Sequence, residues 1–319
     1  MARLEPDLPK LEAIAQAIAP LLHRTPVVHS AFLSRLTGYD VYLKGELFQK
    51  TGSFKPRGML AKLLTLTPEE RARGAITFSA GNAAQGLAYV GLITKTPVTV
   101  VMPEAASPAK AEATRGYGAN VILHGNIAEA VARCMEIQKR DNLVFVSAFD
   151  DDDLMQGHAS IGLEILTDVT DLDAILVGIG GGGLIGGVAL ARNAMKARAK
   201  VIGVEPIGAA AMTRSLEAGK PVTIDKVQTI ADGLGAPFAG ERTFPIVRDH
   251  VASVALVSDE EIAEAMKILL ARCKWLSEAA GAASVAALID GRLNLTPGSR
   301  VCCIVSGGNI DLPRLKALL

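Results

Sequence analysis

The sequence predicts an α/β protein with two open, twisted parallel sheets that carry helices on both faces. Three observations lead to this fold class. Short runs rich in Val, Ile and Leu alternate with alanine-rich helical stretches along almost the whole chain. Several of the apolar runs are unbroken, which is typical of strands covered on both faces. Strand and helix follow each other as in parallel strands joined by crossover helices.

Nine apolar runs are predicted to be strands because they are short, apolar and mostly separated by helical patterns. They are residues 40–43, 75–78, 98–102, 120–123, 143–146, 173–179, 201–205, 251–257 and 300–305. Six stretches have helical patterns, namely residues 83–94, 108–117, 127–140, 184–196, 259–275 and 279–290. Carboxylates in the first turn of the stretch at 259 favour a helix start there.

Two domains are predicted from the distribution of these elements. Residues 54–145 contain four strand–helix units, enough for one small sheet in a small, mobile domain. Residues 1–53 and 146–319 make up the large domain. The four aspartates at 150–153 are predicted to form a charged surface turn between them. A metal site is the alternative there, but consecutive carboxylates are more typical of a solvated face.

Composition and charge argue against several classes of protein. The chain has 319 residues, of which 50% are hydrophobic and 4% aromatic, and 33 basic residues balance 33 acidic ones. Without a basic stripe, neither nucleic acid nor an acidic membrane surface is an expected partner. No signal peptide or membrane span is recognisable, so a cytoplasmic location is expected. A neutral chain suits assembly into a homodimer or homotetramer. The four cysteines match neither a zinc site nor a disulfide framework.

The most informative stretch is TGSFKPRG at residues 51–58, which holds Lys55 in a corner rich in Gly, Ser and Pro. A lysine that is desolvated loses its proton more readily, and its neutral amine can attack an aldehyde. Most lysines in such surroundings are simply solvated. The hypothesis of a nucleophilic lysine therefore depends on three further segments, which are SAGN at 79–82, GGGG at 180–183 and SGGN at 306–309.

The glycine run at 180–183 lies between a predicted strand and a predicted helix. Backbone N–H groups converge on an anion in such a turn, and the helix N-terminus adds a favourable dipole, so phosphate binding is predicted. The pattern GxGxxG at 178–183 also satisfies the dinucleotide fingerprint, with Glu205 about 20 residues further on. A nicotinamide-dependent oxidoreductase is therefore an alternative from a different class, although it leaves Lys55, Asn82 and Ser306 unexplained.

Taken together, these segments resemble the fold type II pyridoxal-phosphate enzymes of the tryptophan synthase β-like fold, and among them the serine/threonine dehydratase and serine racemase group. The resemblance extends from about residue 24 to residue 311. It implies pyridoxal 5′-phosphate as the cofactor, bound in the large domain, and Lys55 as the catalytic lysine that holds it covalently. It also implies that a loop in the small domain binds the substrate carboxylate, through Ser79, Ala80, Gly81, Asn82 and Ala83.

The same resemblance implies the remaining cofactor contacts. Asn82 would bond the 3-hydroxyl of the cofactor, and Ser306 would face its pyridine nitrogen. Phe54 and Gly233 would flank the ring. The phosphate cup would consist of Gly180, Gly181, Gly182, Gly183 and Leu184.

The sequence departs from the family pattern at several positions. Ala83 replaces the usual histidine of the carboxylate loop, which changes the size and polarity of the pocket. Ala80 stands where racemases have a second serine, so racemase activity is not expected. His158 replaces a more usual glutamine, and the segment EAAG at 278–281 lacks the usual proline.

The divalent-cation site of the family is also altered. Glu205 and the carbonyl of Ala209 match two of its ligands, but Ala211 takes the place of the aspartate. Because hard cations need several oxygen ligands, weak or absent metal binding is expected there.

The resemblance implies β-elimination from a β-hydroxy amino acid, with L-threonine and L-serine as leading substrates and a 2-oxo acid and ammonia as products. The neutral hydroxyl of Ser306 would leave the ring a moderate electron sink, which favours elimination over transamination. Ala83 leaves open a bulkier substrate such as hydroxyaspartate or phenylserine, or a β-replacement reaction. No effector-binding module is expected after the SGGN segment, which indicates an unregulated or catabolic enzyme.

Overall fold

The computed structural model describes residues 4–318. Its strands are β1 (Val27–His29), β2 (Asp40–Gly45), β3 (Ala75–Phe78), β4 (Val98–Met102), β5 (Asn120–Leu123), β6 (Val144–Phe145), β7 (Ala174–Gly178), β8 (Lys200–Pro206), β9 (Ser253–Val257) and β10 (Arg300–Val305). They form a six-stranded sheet of order β1-β2-β10-β7-β8-β9 and a four-stranded sheet of order β5-β4-β3-β6. The ends of the predicted large domain, residues 1–3 and 319, lie outside the described residues, and the division into domains stays a prediction.

The α-helices of the described residues lie between these strands and at the two ends of the chain. They are α1 (Leu8–Ile18), α2 (Ala31–Thr37), α3 (Lys55–Leu64), α4 (Pro68–Arg73), α5 (Asn82–Thr94), α6 (Pro108–Gly116), α7 (Ile127–Arg140), α8 (Asp152–Asp168), α9 (Gly183–Ala194), α10 (Ala211–Ala218), α11 (Thr243–His250), α12 (Asp259–Ile268), α13 (Ala279–Ile289) and α14 (Leu312–Leu318). A π-helical turn at Leu269–Cys273 follows α12.

The predicted α/β fold class is confirmed, with one correction to the sheets. The four-stranded sheet is parallel throughout. In the six-stranded sheet β1 pairs with β2 antiparallel, whereas every other pair is parallel. The expected parallel sheets therefore include one antiparallel strand, at this edge. Strand β1 has only three residues, and it was too short for its pattern to be recognised.

Parallel pairing brings the carboxyl ends of several strands to one edge of the larger sheet. Strand β10 pairs with β2 from Arg300 opposite Asp40 to Val305 opposite Gly45, and it also pairs with β7. The SGGN segment therefore leaves the sheet beside the glycine run that follows β7. Open α/β sheets bind ligands at this edge.

The four aspartates at 150–153 form the start of a helix, which corrects the prediction of a surface turn. Asp151 is the N-cap of α8, and its side chain accepts hydrogen bonds from the N–H groups of Asp153 and Leu154 at 2.9 and 3.1 Å. Asp151 and Asp153 also lie 2.9 and 3.0 Å from Lys62 Nζ. Acidic residues are favourable in a first helical turn because of the helix dipole.

Helix α13 packs its small side chains against the six-stranded sheet. All of its residues from Ala279 to Leu288 are buried, and Ala and Gly at the contact let the helix backbone approach the strands closely. Burial on this scale stabilises the helix although alanine contributes little apolar surface per residue. Its N-terminus therefore has a fixed position beside the end of β10.

Candidate active site

The predicted site segments converge at the carboxyl edge of the six-stranded sheet. The N–H of Phe54 donates to the carbonyl oxygen of Ser306 at 3.1 Å. Ser53 and Gly307 form an isolated antiparallel bridge. These contacts join the lysine segment to the SGGN segment across more than two hundred residues of sequence.

Lys55 is the first residue of α3, and its amine points towards the loop that follows β6. Its Nζ donates to the carbonyl oxygen of Ala148 at 2.6 Å and lies 5.0 Å from the centre of the Phe54 ring. Desolvation by the surrounding protein lowers the pKa of Lys55 to about 8, although the charge of Glu278 acts in the opposite direction. A substantial neutral fraction near pH 8 makes this amine a nucleophile and a base.

The glycine run forms a cup of backbone N–H groups at the N-terminus of α9. Among the described residues, the N–H groups of residues 180–185 donate to no protein acceptor. Gly182 has φ +100°, in the left-handed region that favours glycine, and it turns the chain into the helix. Unpaired N–H groups together with a helix dipole suit a phosphate. Leu184 is buried just beyond the cup.

Hydrogen bonds from the start of α11 and the residues just before it stabilise the glycine cup. Thr243 Oγ1 donates to the carbonyl oxygen of Gly181 at 2.6 Å, and the N–H of Gly240 donates to the same oxygen at 3.2 Å. Asp150 accepts from the N–H groups of Glu241, Arg242 and Thr243 at 3.1, 2.9 and 3.2 Å. No local sequence motif predicts this arrangement, because its side-chain contacts join residues that are 62 to 93 positions apart in the chain.

The carboxylate-loop segment lies at the start of α5. Asn82 is the first residue of that helix, and its Nδ2 donates to a carboxylate oxygen of Glu278 at 2.5 Å. The N–H of Gly81 donates to Ser79 Oγ at 3.2 Å. Ala80 is partly exposed and Ala83 is buried. The loop therefore presents backbone amides and one hydroxyl, with no charged side chain of its own.

Ser306 and Gly233 lie near each other through the N-terminus of α13. Ser306 is buried, and its Oγ is 3.5 Å from the carbonyl oxygen of Ala280. A Cβ on Gly233 would lie 2.9 Å from the Cβ of Ala280, and a Cβ on Gly180 would lie 3.2 Å from the carbonyl oxygen of Gly233. All of the predicted site residues are thus in one region, while their individual roles stay predictions.

His158 forms a buried contact between the lysine segment and the glycine cup. Its Nδ1 is 3.3 Å from the carbonyl oxygen of Gly183, and its ring meets the Phe54 ring edge to face at a centroid distance of 4.8 Å. Desolvation and the nearby charge of Lys55 lower its pKa to about 3, so the ring is neutral. His158 therefore packs Phe54 against the cup without adding a charge to the site.

The carboxylate of Glu205 is hydrogen-bonded within the protein. It is buried and accepts hydrogen bonds from the N–H groups of Met212 and Thr213 at 2.8 Å and from Thr213 Oγ1 at 2.6 Å. Ala211 contributes no side-chain oxygen, so these residues do not match the oxygen-rich shell that a hard cation needs. Among residues 4–318, no three His, Cys, Asp or Glu side chains are grouped to hold a metal ion.

The comparison with protein families identifies the chain. The family model described as pyridoxal-phosphate dependent enzyme matches residues 18–307. This chain belongs to that family. The cofactor is therefore pyridoxal phosphate, and the alternative of a nicotinamide-dependent oxidoreductase is set aside. The protein is an enzyme of the fold type II class, as its sequence motifs predicted.

Individual relatives are similar over nearly the whole chain. An L-threonine ammonia-lyase of Thermotoga maritima is 41% identical over 313 residues, which cover 97% of this chain and 78% of that protein. The structure of threonine deaminase isoform 2 from Solanum lycopersicum is 32% identical with a TM-score of 0.93, covering 100% of this chain and 95% of that one. Maize serine racemase is 34% identical with a TM-score of 0.94, covering 98% and 97%.

The residues present are suited to pyridoxal phosphate. The amine of lowered pKa at Lys55 suits its aldehyde, and the unpaired N–H groups of residues 180–185 suit its phosphate. Ser306 Oγ is buried with only a 3.5 Å contact to a carbonyl oxygen, which leaves it able to bond a ring nitrogen.

No helix among residues 4–318 combines the length and the apolar character needed to cross a membrane.

Proposed function

We propose that this enzyme is an ammonia-lyase that eliminates water from L-threonine, L-serine or both, and releases a 2-oxo acid and ammonia. The proposal depends on one observation. The amine of Lys55, whose pKa is lowered, lies at the same sheet edge as the unpaired N–H groups of residues 180–185. The names of the threonine-processing relatives support the choice of substrate.

Bound pyridoxal phosphate supplies an electron sink for the pair left when the Cα–H bond of the amino acid breaks. Lys55 Nζ, as a neutral amine, accepts that proton. The Cβ–O bond then breaks, and the hydroxyl takes up one proton and leaves as water, which balances the proton that Lys55 accepted from Cα. The released enamino acid tautomerises and is hydrolysed, which takes up one water and gives ammonia and the 2-oxo acid.

The loop at 79–83 would hold the substrate carboxylate through its backbone N–H groups, that of Asn82 included, and through the hydroxyl of Ser79. Fixing the carboxylate orients the Cα–H bond towards Lys55. Ala80 has no hydroxyl to return a proton from the opposite face of Cα. Racemisation is therefore not expected, although maize serine racemase has the same fold.

The substrate is tested by ammonia and 2-oxo acid release from a panel of L-threonine, L-serine, hydroxyaspartate and phenylserine. We expect the highest kcat/KM for threonine or serine. A preference for hydroxyaspartate or phenylserine would instead support the bulkier-substrate alternative, which the small side chain of Ala83 favours. Formation of a β-substituted amino acid in the presence of an added thiol would indicate β-replacement.

Assembly and motion are also part of the proposal. We infer a homodimer or homotetramer, and exposed apolar side chains such as Val28, Phe48 and Leu276 support this assembly. A cytoplasmic location is proposed as well. Light scattering of the purified enzyme tests the oligomeric state, and a monomeric mass would contradict it.

The small domain at 54–145 closes over the substrate, and contacts such as Ser107 Oγ to Asp311 at 3.0 Å join it to the rest of the chain.

A further inference from the structure

Glu278 directs its carboxylate into the site instead of towards its own helix. It is the N-cap residue of α13, yet its side chain makes no capping hydrogen bond. One carboxylate oxygen accepts from Asn82 Nδ2 at 2.5 Å. The mechanism described above does not use this carboxylate, and the sequence analysis noted its segment, EAAG at 278–281, only for the missing proline.

The amide of Asn82 is held from both ends. Asn309 Nδ2 donates to Asn82 Oδ1 at 2.8 Å and to the carbonyl oxygen of Thr51 at 2.7 Å. The carbonyl oxygen of Thr51 can only accept, so the Asn309 atom that faces it is the donor Nδ2. The same Nδ2 faces Asn82, so the Asn82 atom on that side is the acceptor Oδ1, and Nδ2 of Asn82 lies on the side of Glu278. With Oδ1 bound to Asn309 and one Nδ2 hydrogen bound to Glu278, Asn82 keeps a single hydrogen for a ligand.

Gly307 provides the space that the Glu278 carboxylate needs. A Cβ at position 307 would lie 2.2 Å from Glu278 Oε1 and 3.3 Å from Asn82 Nδ2. The N–H of Glu278 donates to the carbonyl oxygen of Gly307 at 3.1 Å, which fixes the backbone from which the side chain reaches Asn82. The first glycine of the SGGN segment is thus needed for this contact.

Charged groups from four elements face Glu278. They are Lys55 of α3, Lys110 of α6, Asp232 of the turn after residue 230, and Arg314 of α14. Desolvation raises the pKa of Glu278 to about 7. The negative charge of Asp232 also raises this pKa. The hydrogen bond from Asn82 and the positive charges of Lys110 and Arg314 act in the opposite direction. Glu278 therefore changes its ionisation close to neutral pH.

We propose that Glu278 is a positioning residue, whose ionised carboxylate fixes the Asn82 amide so that its remaining hydrogen points to the 3-hydroxyl oxygen of pyridoxal phosphate. This inference rests on the proposed function of the site. A carboxylate is a stronger acceptor for Asn82 than a protonated carboxyl group. Cofactor binding is consequently tighter when Glu278 is ionised than when it is protonated.

The test is a double-mutant cycle on cofactor affinity. Trp275, the single tryptophan of the chain, lies three residues before Glu278, and we expect bound pyridoxal phosphate to quench its fluorescence. Glu278→Ala and Asn82→Ala should each weaken binding about tenfold or more, and the double variant should bind no more weakly than the weaker single variant. Glu217→Ala removes an exposed carboxylate of α10 and serves as the control.

Glu278→Gln provides a second readout, which does not depend on the stability of the alanine variants. Glutamine keeps an acceptor oxygen but cannot ionise. The ratio of wild-type affinity to Glu278→Gln affinity should therefore rise with pH between 6 and 8. Additive losses in the cycle, or a ratio that stays constant over this range, would overturn the positioning role.

Borohydride reduction followed by peptide mass spectrometry separates this inference from the proposed function. If wild-type protein does not carry pyridoxal phosphate on Lys55, the proposed function fails and the inference fails with it. If Lys55 carries the cofactor but the losses are additive, only the role of Glu278 is refuted.

Discussion

The guanidinium of Arg57 donates through Nε and Nη2 to the two carboxylate oxygens of Glu46, at 2.8 and 2.9 Å. Both side chains are buried, and Arg57 follows Lys55 by two residues. Glu164 of α8 accepts two further bonds from Arg57, and Lys44 Nζ donates to Glu164 at 2.5 Å. Two cations and two anions thus balance each other at the first turn of α3, the helix that begins with Lys55.

Replacing Arg57 by methionine should destabilise the fold severely. Glu46 and Glu164 would lose their main partner in a buried environment, which costs about 3–5 kcal/mol. Urea denaturation of the variant measures the loss. Arg133→Met serves as the control, because its pair with Glu136 is exposed and solvent screens the attraction between the two charges. Equal losses in the two variants would mean that the buried cluster does not stabilise α3.

Thr243→Val should loosen the glycine cup while keeping the shape of the side chain. The variant loses the bond from Thr243 Oγ1 to the carbonyl oxygen of Gly181, which is worth about 1 kcal/mol, or about fivefold in cofactor affinity. At saturating cofactor the KM for the amino acid should be unchanged. Thr94→Val, which removes a hydroxyl bonded to Val90 within α5, is the matched control. A changed KM with unchanged cofactor affinity would contradict the assignment of the cup.

Ser306→Asp should alter the electronic state of the bound cofactor. A carboxylate at this buried position favours a protonated pyridine nitrogen, whereas the serine hydroxyl does not. We expect a shifted visible absorption spectrum and a lower rate of elimination. Ser306→Ala, which adds no charge, should change the spectrum much less. An unchanged spectrum in Ser306→Asp would show that residue 306 does not face the ring nitrogen.

Attachment of the cofactor should depend on pH through the amine of Lys55. Because desolvation lowers its pKa to about 8, the neutral fraction increases as the pH rises and becomes dominant above that value. The rate of pyridoxal phosphate incorporation into cofactor-free protein should therefore rise through pH 8 and then level off. Glu278→Gln removes a nearby negative charge that favours protonated Lys55, so the inflection should move to lower pH. An inflection near pH 10, as for a solvated lysine, would contradict a desolvated amine.

Much of the fold was predictable because its strands are short apolar runs. All nine predicted strands are present, and their ends agree within two residues. Helix α8 was not recognised, because its aspartate start resembles a surface turn and its middle combines Gly, His and Ser. The sheet direction of β1 depends on pairing with β2, which no local pattern determines.

The convergence of the site segments was predictable where chemistry is concentrated in short stretches of sequence, while the role of each residue stays a prediction. The segments around Lys55, Asn82, the glycine run and Ser306 could be recognised together because their order matches a known family. Asp150, Thr243 and Glu278 were not recognised, since each acts through one side-chain contact with a distant segment. The dinucleotide fingerprint at 178–183 was ambiguous for a physical reason: any phosphate can use the same turn of backbone N–H groups.

The central claim is that the amine of Lys55 forms the covalent bond to pyridoxal phosphate. Borohydride reduction of the holoenzyme, followed by peptide mass spectrometry, tests it most directly. We expect the mass of the reduced cofactor on Lys55 alone, and no adduct in a folded Lys55→Ala variant. A modified lysine elsewhere in the chain, or full ammonia release by Lys55→Ala, would contradict the account.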